Sequence, residues 1–243
     1  MKTAILSDIH GHAVALETVL RELDRQDIDQ LIVLGDLAYR GPEPKRCIEL
    51  TRLSAHTVIG GNADEWAVRG VRAGEVPDHV LLRMNEERSF TVSHVDEEDI
   101  AYLASLSMSA NCDLGHGQTL YACHATPSDR FQVILPDTTD EELAALYLRE
   151  QSIMPSVATY GHIHIPYIRS LKGAVILNPG SVGLPFDGTP KASYAVIETS
   201  ANTLNASIHR VTYDLRLACD ALERLDYPHR ERLVQSIEQA VMP

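Results

Sequence analysis

The chain has 243 residues, 44% of them apolar, with 34 acidic residues against 21 basic ones and a formal charge of −13. That surface repels a phosphate backbone, and without Lys/Arg runs or interleaved basic and aromatic residues the sequence argues against nucleic acid as a main partner. No apolar run reaches the roughly 20 residues of a membrane span, and the four cysteines form no Cys-x-x-Cys pair, so a cytoplasmic protein with reduced thiols is expected.

At this length one α/β domain with additions is expected, over residues 1–243. Ala4-Ile5-Leu6-Ser7 predicts a strand that the chain enters at once, leaving no room for a signal peptide. Leu16, Val19, Leu20 and Leu23 then keep the i, i+3, i+4, i+7 spacing of an amphipathic helix. A strand over 31–35, a helix near 43–54 and a strand over 56–59 complete a βαβαβ opening, which implies a parallel sheet carrying helices. From about 63 to 110 charge and helix formers replace the strand signal, as in Glu86-Glu87-Arg88 and in Asp96-Glu97-Glu98-Asp99 ahead of Ile100, Leu103 and Leu106. This predicts a helical insertion beside the site.

A strand over 119–123 follows, and Thr139-Asp140-Glu141-Glu142 has the capping-box spacing that opens a helix through Leu143, Leu146 and Tyr147. After a strand over 157–160, the runs Ala174-Val175-Ile176-Leu177, 193–198 and 204–211 predict a second sheet with antiparallel pairing. A helix from near Pro228 places Leu233, Ile237 and Val241 on one face, ending a strand-helix extension over 204–243.

Seven ligand-type side chains stand just past five of the apolar runs: Asp8 and His10, Asp36, Asn62, His124, then His162 and His164. In α/β sheets functional groups gather beyond the carboxyl ends of strands, so residues remote in sequence converge there. Asp8 and His10, at i and i+2, lie on one side of an extended backbone and pair a hard carboxylate with an imidazole. Alone, Ser7-Asp8-Ile9-His10-Gly11 reads equally as a strand-ending turn, and Gly35-Asp36 is a common turn dipeptide. In Gly161-His162-Ile163-His164 a β-branched spacer predicts an extended chain with its imidazoles roughly 6–7 Å apart, able to straddle two metals ~3.5–4 Å apart. His124 gains meaning only from the order of the series.

That five-part series resembles the calcineurin-like metallophosphoesterase superfamily over roughly residues 1–200. Residues 35–42 (Gly-Asp-Leu-Ala-Tyr-Arg-Gly-Pro), 178–183 (Asn-Pro-Gly-Ser-Val-Gly) and 188–194 (Gly-Thr-Pro-Lys-Ala-Ser-Tyr) are most similar to its small bacterial and archaeal phosphodiesterase-like branch. The resemblance implies a four-layer α/β/β/α sandwich, two mixed sheets flanked by helices. It implies one metal on Asp8, His10, Asp36 and His164, and another on Asp36, Asn62, His124 and His162, with Asp36 the bridge. Manganese or iron would be the first expectation, with zinc, nickel or magnesium as further candidates. Two cations against two carboxylates would leave a positive pocket for phosphate and acidify a bridging water to hydroxide.

The sequence departs from the family pattern at a pair of positions. Many relatives carry a leaving-group acid, His, after the motif asparagine, and a subset orients it with an aspartate three residues past Gly-Asp; here these positions are Ala63 and Tyr39. Arg40 remains as a phosphate clamp, and His12 could donate a proton or simply open the first helix. Asp64 is expected to cap the helix after Asn62, while Asn178 and Ser181 shape the pocket wall or turn the chain.

The expected function is hydrolysis of a small phosphodiester or phosphoanhydride of nucleotide type by a metal-bridging hydroxide, with Asp36, Arg40 and His12 as the catalytic candidates. A phosphomonoesterase or protein phosphatase of the same chemistry, and a metal-binding regulatory protein with weak turnover, are the competing readings. A β-lactamase-like metallohydrolase would need a His-x-His-x-Asp-His cluster, which the chain lacks.

Overall fold

Ala4, Ile5 and Leu6 are all fully shielded from solvent, so the first strand has covered faces on both sides and belongs at the centre of a sheet. A computed structural model, describing residues 1–150 and 153–242, puts it there. Strand β1 (Lys2–Leu6) runs parallel to β2 (Gln30–Val33), which is followed in the sheet by β3 (Thr57–Val58). The crossovers are α1 (Ala13–Leu23) and α2 (Pro44–Ser54). On the other flank β1 pairs antiparallel with β9 (Ala192–Thr199), which pairs with the edge strand β10 (Leu204–Val211).

The second sheet has a parallel centre of β5 (Thr119–Cys123), β6 (Val157–Thr159) and β8 (Ala174–Asn178). Its edges are the antiparallel strands β4 (Ser109–Asp113) and β7 (Tyr167–Leu171). The pleat sorts alternate side chains into layers. Ile5 and Ile32 meet Leu120, Val157 and Leu177 in a core between the sheets, whereas Ala4, Leu6 and Val33 face α1 and α2. Behind the second sheet Tyr121 and Ile176 pack on Leu143 and Tyr147 of α6 (Asp140–Glu150). The result is the expected four-layer α/β/β/α sandwich with two mixed sheets. Each fully buried Ile or Leu of the inter-sheet layer contributes about 1.5–3 kcal/mol.

The helical stretch resolves into α3 (Asn62–Arg69), α4 (Asp78–Ser93) and α5 (Glu97–Ser105), and the chain closes with α7 (Leu215–Arg224) and α8 (Arg230–Gln239). The Thr139 box forms as expected, since Thr139 Oγ1 accepts from Glu142 N and the Glu142 carboxylate accepts from Thr139 N.

Several expectations fail. The antiparallel second sheet predicted from 174–177, 193–198 and 204–211 does not form as one unit: β8 lies parallel to β6, and β9 and β10 return to the first sheet. Strands β4 and β7 and helix α7 escape the sequence reading, and β2 stops at Val33 rather than 35. Val241 is not on the apolar face of the last helix. Ala240 turns left-handed at φ 53° and ends α8, leaving Val241 39% exposed while Leu233 and Ile237 stay buried. Among the described residues no helix is long and apolar enough to cross a membrane.

Candidate metal centre

All seven predicted ligands follow strand ends: Asp8 and His10 follow β1, Asp36 follows β2, Asn62 follows β3, His124 follows β5, and His162 and His164 follow β6. One oxygen of Asp36, Oδ2, lies 3.5 Å from His10 Nε2 and 3.4 Å from His124 Nε2. On one side of it, Asp8, His10, Asp36 and His164 have ligand atoms within 4.8 Å of one another, and all four are buried. On the other side, Asn62 Oδ1 stands 2.9 Å from His124 Nε2 and 2.8 Å from His162 Nδ1. Two donor groups thus meet at one carboxylate.

The imidazoles are held by their far nitrogens. Nδ1–H of His10 donates to Tyr39 O at 2.8 Å, that of His124 to Leu34 O at 2.7 Å, and that of His164 to Leu184 O. Each bond fixes the tautomer and turns Nε2 inward, which is how metal-binding histidines are oriented. His162 is reversed, with Nδ1 inward and Nε2 3.2 Å from Phe131 O. Phe186 stacks on the His164 ring, centroids 4.2 Å apart and planes 9° from parallel.

This donor set fits a cation. Nε2 of His10 and Nε2 of His164 are 3.2 Å apart, and with both Nδ1 protons committed to carbonyls the two lone pairs face each other. Asp8 Oδ1 is buried without a hydrogen bond, 3.3 Å from His164 Nε2. A positive ion relieves both. Charges follow the same logic. Burial penalises the Asp8 carboxylate, but His164 and His124 together outweigh it and its pKa falls; Asp36 is likewise held low, by His124 and His10 against burial. Burial drops His10 and His162 to about 4, leaving both imidazoles neutral near pH 7. Burial also works against charging His124, yet Asp36 wins and lifts it to about 9.

The extended arrangement predicted for Asp8-x-His10 and His162-x-His164 is not found. Asp8, His10, Asp36, His162 and His164 all adopt left-handed φ between 51° and 67°. Such backbone is costly outside glycine, at about 1–3 kcal/mol per residue, and clusters at functional sites. Neighbouring glycines make the crowding possible. A Cβ on Gly61 would lie 2.0 Å from Asp36 Oδ1, and one on Gly161 1.9 Å from Ser7 Oγ.

Asp64 caps α3 as expected and does more. Its carboxylate accepts from Gly61 N at 2.9 Å, Asp36 N at 2.7 Å and Leu37 N at 2.8 Å, tying the Asp36 loop to the Asn62 loop. Burial and the nearby Asp36 raise its pKa to about 6. Asn178 Nδ2 donates to Gly161 O, and Ser181 Oγ donates to Asp8 O; both residues are buried and tie down the loops after β6 and β1. Arg40 opens onto the cavity above the ligands and lies 3.6 Å from Glu87. His12 is 1% exposed, at the N-cap of α1 and outside the described lining of that cavity; burial lowers its pKa to about 3. Tyr39 is buried with its hydroxyl on Met84 O.

The cavity, about 440 Å³, has His10, Asp36, Arg40, Asn62, His162 and His164 as its polar lining. Sequence reasoning missed the apolar remainder, including Trp66, Phe186 and Val241. Only an unusually placed aromatic near the ligand series could have signalled it.

Comparison with known proteins bears on the family and the fold. The family model described as "Calcineurin-like phosphoesterase superfamily domain" matches residues 1–202. The Methanocaldococcus jannaschii protein MJ0912 is 28% identical over 243 residues, covering 93% of each chain. Phosphodiesterase YfcE of Escherichia coli is 26% identical over 203 residues, 82% of this chain and 88% of its own. A metallophosphoesterase structure from Sphaerobacter thermophilus superposes with a TM-score of 0.78 at 26% identity over 99% of both chains. PH1004 from Pyrococcus horikoshii, at 21% identity, shares the fold over 98% of both chains with a TM-score of 0.83.

Proposed function

Because the chain belongs to the calcineurin-like phosphoesterase superfamily, we propose that it hydrolyses a small phosphodiester or phosphoanhydride, nucleotide-type substrates foremost, at a dinuclear metal centre. Asp8, His10, Asp36 and His164 would hold one ion, and Asp36, Asn62, His124 and His162 the other. Manganese and iron suit the mixed carboxylate and imidazole donors best. The observation that carries the reading is Asp36 Oδ2, shared at 3.5 and 3.4 Å between imidazoles of the two donor groups. Bound cations there supply electrophilic activation of a phosphoryl group and a water acidified to near neutrality.

The chain's own residues supply the rest. Arg40, in the cavity wall, neutralises charge growing on phosphate oxygens, and its Glu87 partner keeps the guanidinium placed. Asp36 and Asp64 hold the Asn62 loop at its working distance. Ala63 lines the cavity where relatives place an acid, and His12 is buried, so protonation of a poor leaving group has little support. Substrates with good leaving groups, anhydrides and aryl or nucleotide esters, are therefore favoured. Against alkyl esters the missing acid costs about 10²–10⁴ in rate. The phosphodiesterase named among the relatives supports the diester class. The stretch from about 63 to 110, helical through α5 and entering β4 at Ser109, acts as an insertion within one domain and shapes the cleft through Trp66 and Met84.

The test is hydrolysis of bis(4-nitrophenyl) phosphate with added manganese, run with metal analysis of the protein. Asp8→Asn and His162→Ala should each abolish metal-dependent turnover; retained activity in either overturns the assignment.

A further inference from the structure

The cavity over the ligand cluster is polar at its floor and apolar at its rim. Val133, Leu135, Val241 and Met242 all line it, together with the rings of Trp66 and Phe186. The exposures are informative: 60% for Val133, 44% for Leu135, 39% for Val241 and 75% for Met242. Large apolar side chains this wet are ordinarily scattered, and their gathering at one opening marks a contact surface.

The C-terminal pair is brought there by a built support. Leu233 and Ile237 anchor α8 on Leu184, Leu222 and Tyr227. Ala240 then turns left-handed, its carbonyl accepting Gly188 N at 3.0 Å, and Ser236 Oγ donates to Val241 O. Helix α8, Val241 and Met242 lie beyond the 1–202 span of the family match. Among the described lining residues Arg40 is the one Lys or Arg side chain, so a second anionic group at the rim would find no cation.

We propose that Val241 and Met242, together with Val133 and Leu135, form the seat for the organic substituent of the phosphate substrate, and that the substituent selected is a flat aromatic group of nucleobase or aryl type. The proposal rests on the phosphoesterase reading of the floor and adds a specificity element to it. A phosphate held at the floor directs its substituent to the rim, where aromatic faces and a polarizable thioether favour a ring.

The experiment uses full-length, manganese-loaded protein and two non-hydrolysable probes, phenylphosphonate and methylphosphonate. Trp66 is the chain's single tryptophan and lines the cavity, so its emission reports binding without turnover. Phenylphosphonate should bind at least tenfold more tightly than methylphosphonate. In V241S/M242S, and separately in V133S, that ratio should fall at least fivefold while methylphosphonate affinity stays within twofold. These positions are exposed, so thermal melting should match the parent protein. Equal affinities in the parent, or an unchanged ratio in both variants, overturn the proposal while leaving the metal centre intact. If manganese does not bind, or neither probe moves the emission, the phosphoesterase reading falls and this inference with it.

Discussion

Asp36 answers to two imidazoles, a backbone amide and the loop that carries Asn62, all through one carboxyl group. Its near neighbour Asp64 satisfies three buried backbone N–H groups. Asp64→Ala should therefore cost on the order of 3 kcal/mol or more, since each orphaned amide carries a penalty of about 1–3 kcal/mol; chemical denaturation measures it. The protonation pattern makes a second prediction. His10 and His162 are already neutral at pH 7, whereas Asp36 keeps His124 protonated up to about pH 9. Manganese uptake at pH 7 should displace a proton from His124, seen as buffer-dependent heat in calorimetry, and the release should fade as pH rises past about 9. His12→Gln should lower thermal stability while leaving the aryl-to-alkyl rate ratio unchanged, because its ring is buried away from the cavity. A selective loss on alkyl esters would reinstate it as a proton donor. At this scale the residue types were legible, since the ligand types stand in the expected order past the apolar runs. The left-handed backbone at five of them was not legible. It is set by loop packing against Gly61 and Gly161, which no spacing rule encodes.

Among the elements, what the sequence reveals tracks burial. Strands β1 and β2 are covered on both faces and announce themselves as continuous apolar runs. Strands β4 (Ser-Ala-Asn-Cys-Asp) and β7 (Tyr-Ile-Arg-Ser-Leu) are the exposed edges of the second sheet, so their side chains follow solvent rather than a core and the signal fades. The allocation of β9 and β10 to the first sheet depends on pairing across 190 residues or so of sequence, as in Lys2 with Glu198, and no local pattern reports it. Helix α8 is a support rather than a decoration. Ile237→Ala, at a fully buried position, should cost about 2–5 kcal/mol. Beyond that loss, it should raise KM for aryl phosphates by loosening the Val241 and Met242 wall; unchanged KM in the folded variant would detach the helix from substrate selection.

For the whole molecule, an acidic chain of −13 formal charge holds a buried carboxylate and imidazole cluster whose net sign would depend on bound cations. Chelation should therefore weaken phosphonate binding and lower the melting temperature together. Saturating manganese at about 100 times its Kd should restore about 2.7 kcal/mol, a shift of roughly 5–10 °C at this chain length. Asp8→Asn, which removes a ligand of one ion only, should keep just part of that shift.

The seven proposed ligands are shared out between the sheets. Asp8, His10, Asp36 and Asn62 extend from the first, and His124, His162 and His164 from the second. An ion seated among them would act as a rivet through the sandwich, since any slippage of one layer over the other must stretch its coordination. Stripping the rivet should let amides of β2 and β6 exchange with deuterium in step, though the strands share no ladder.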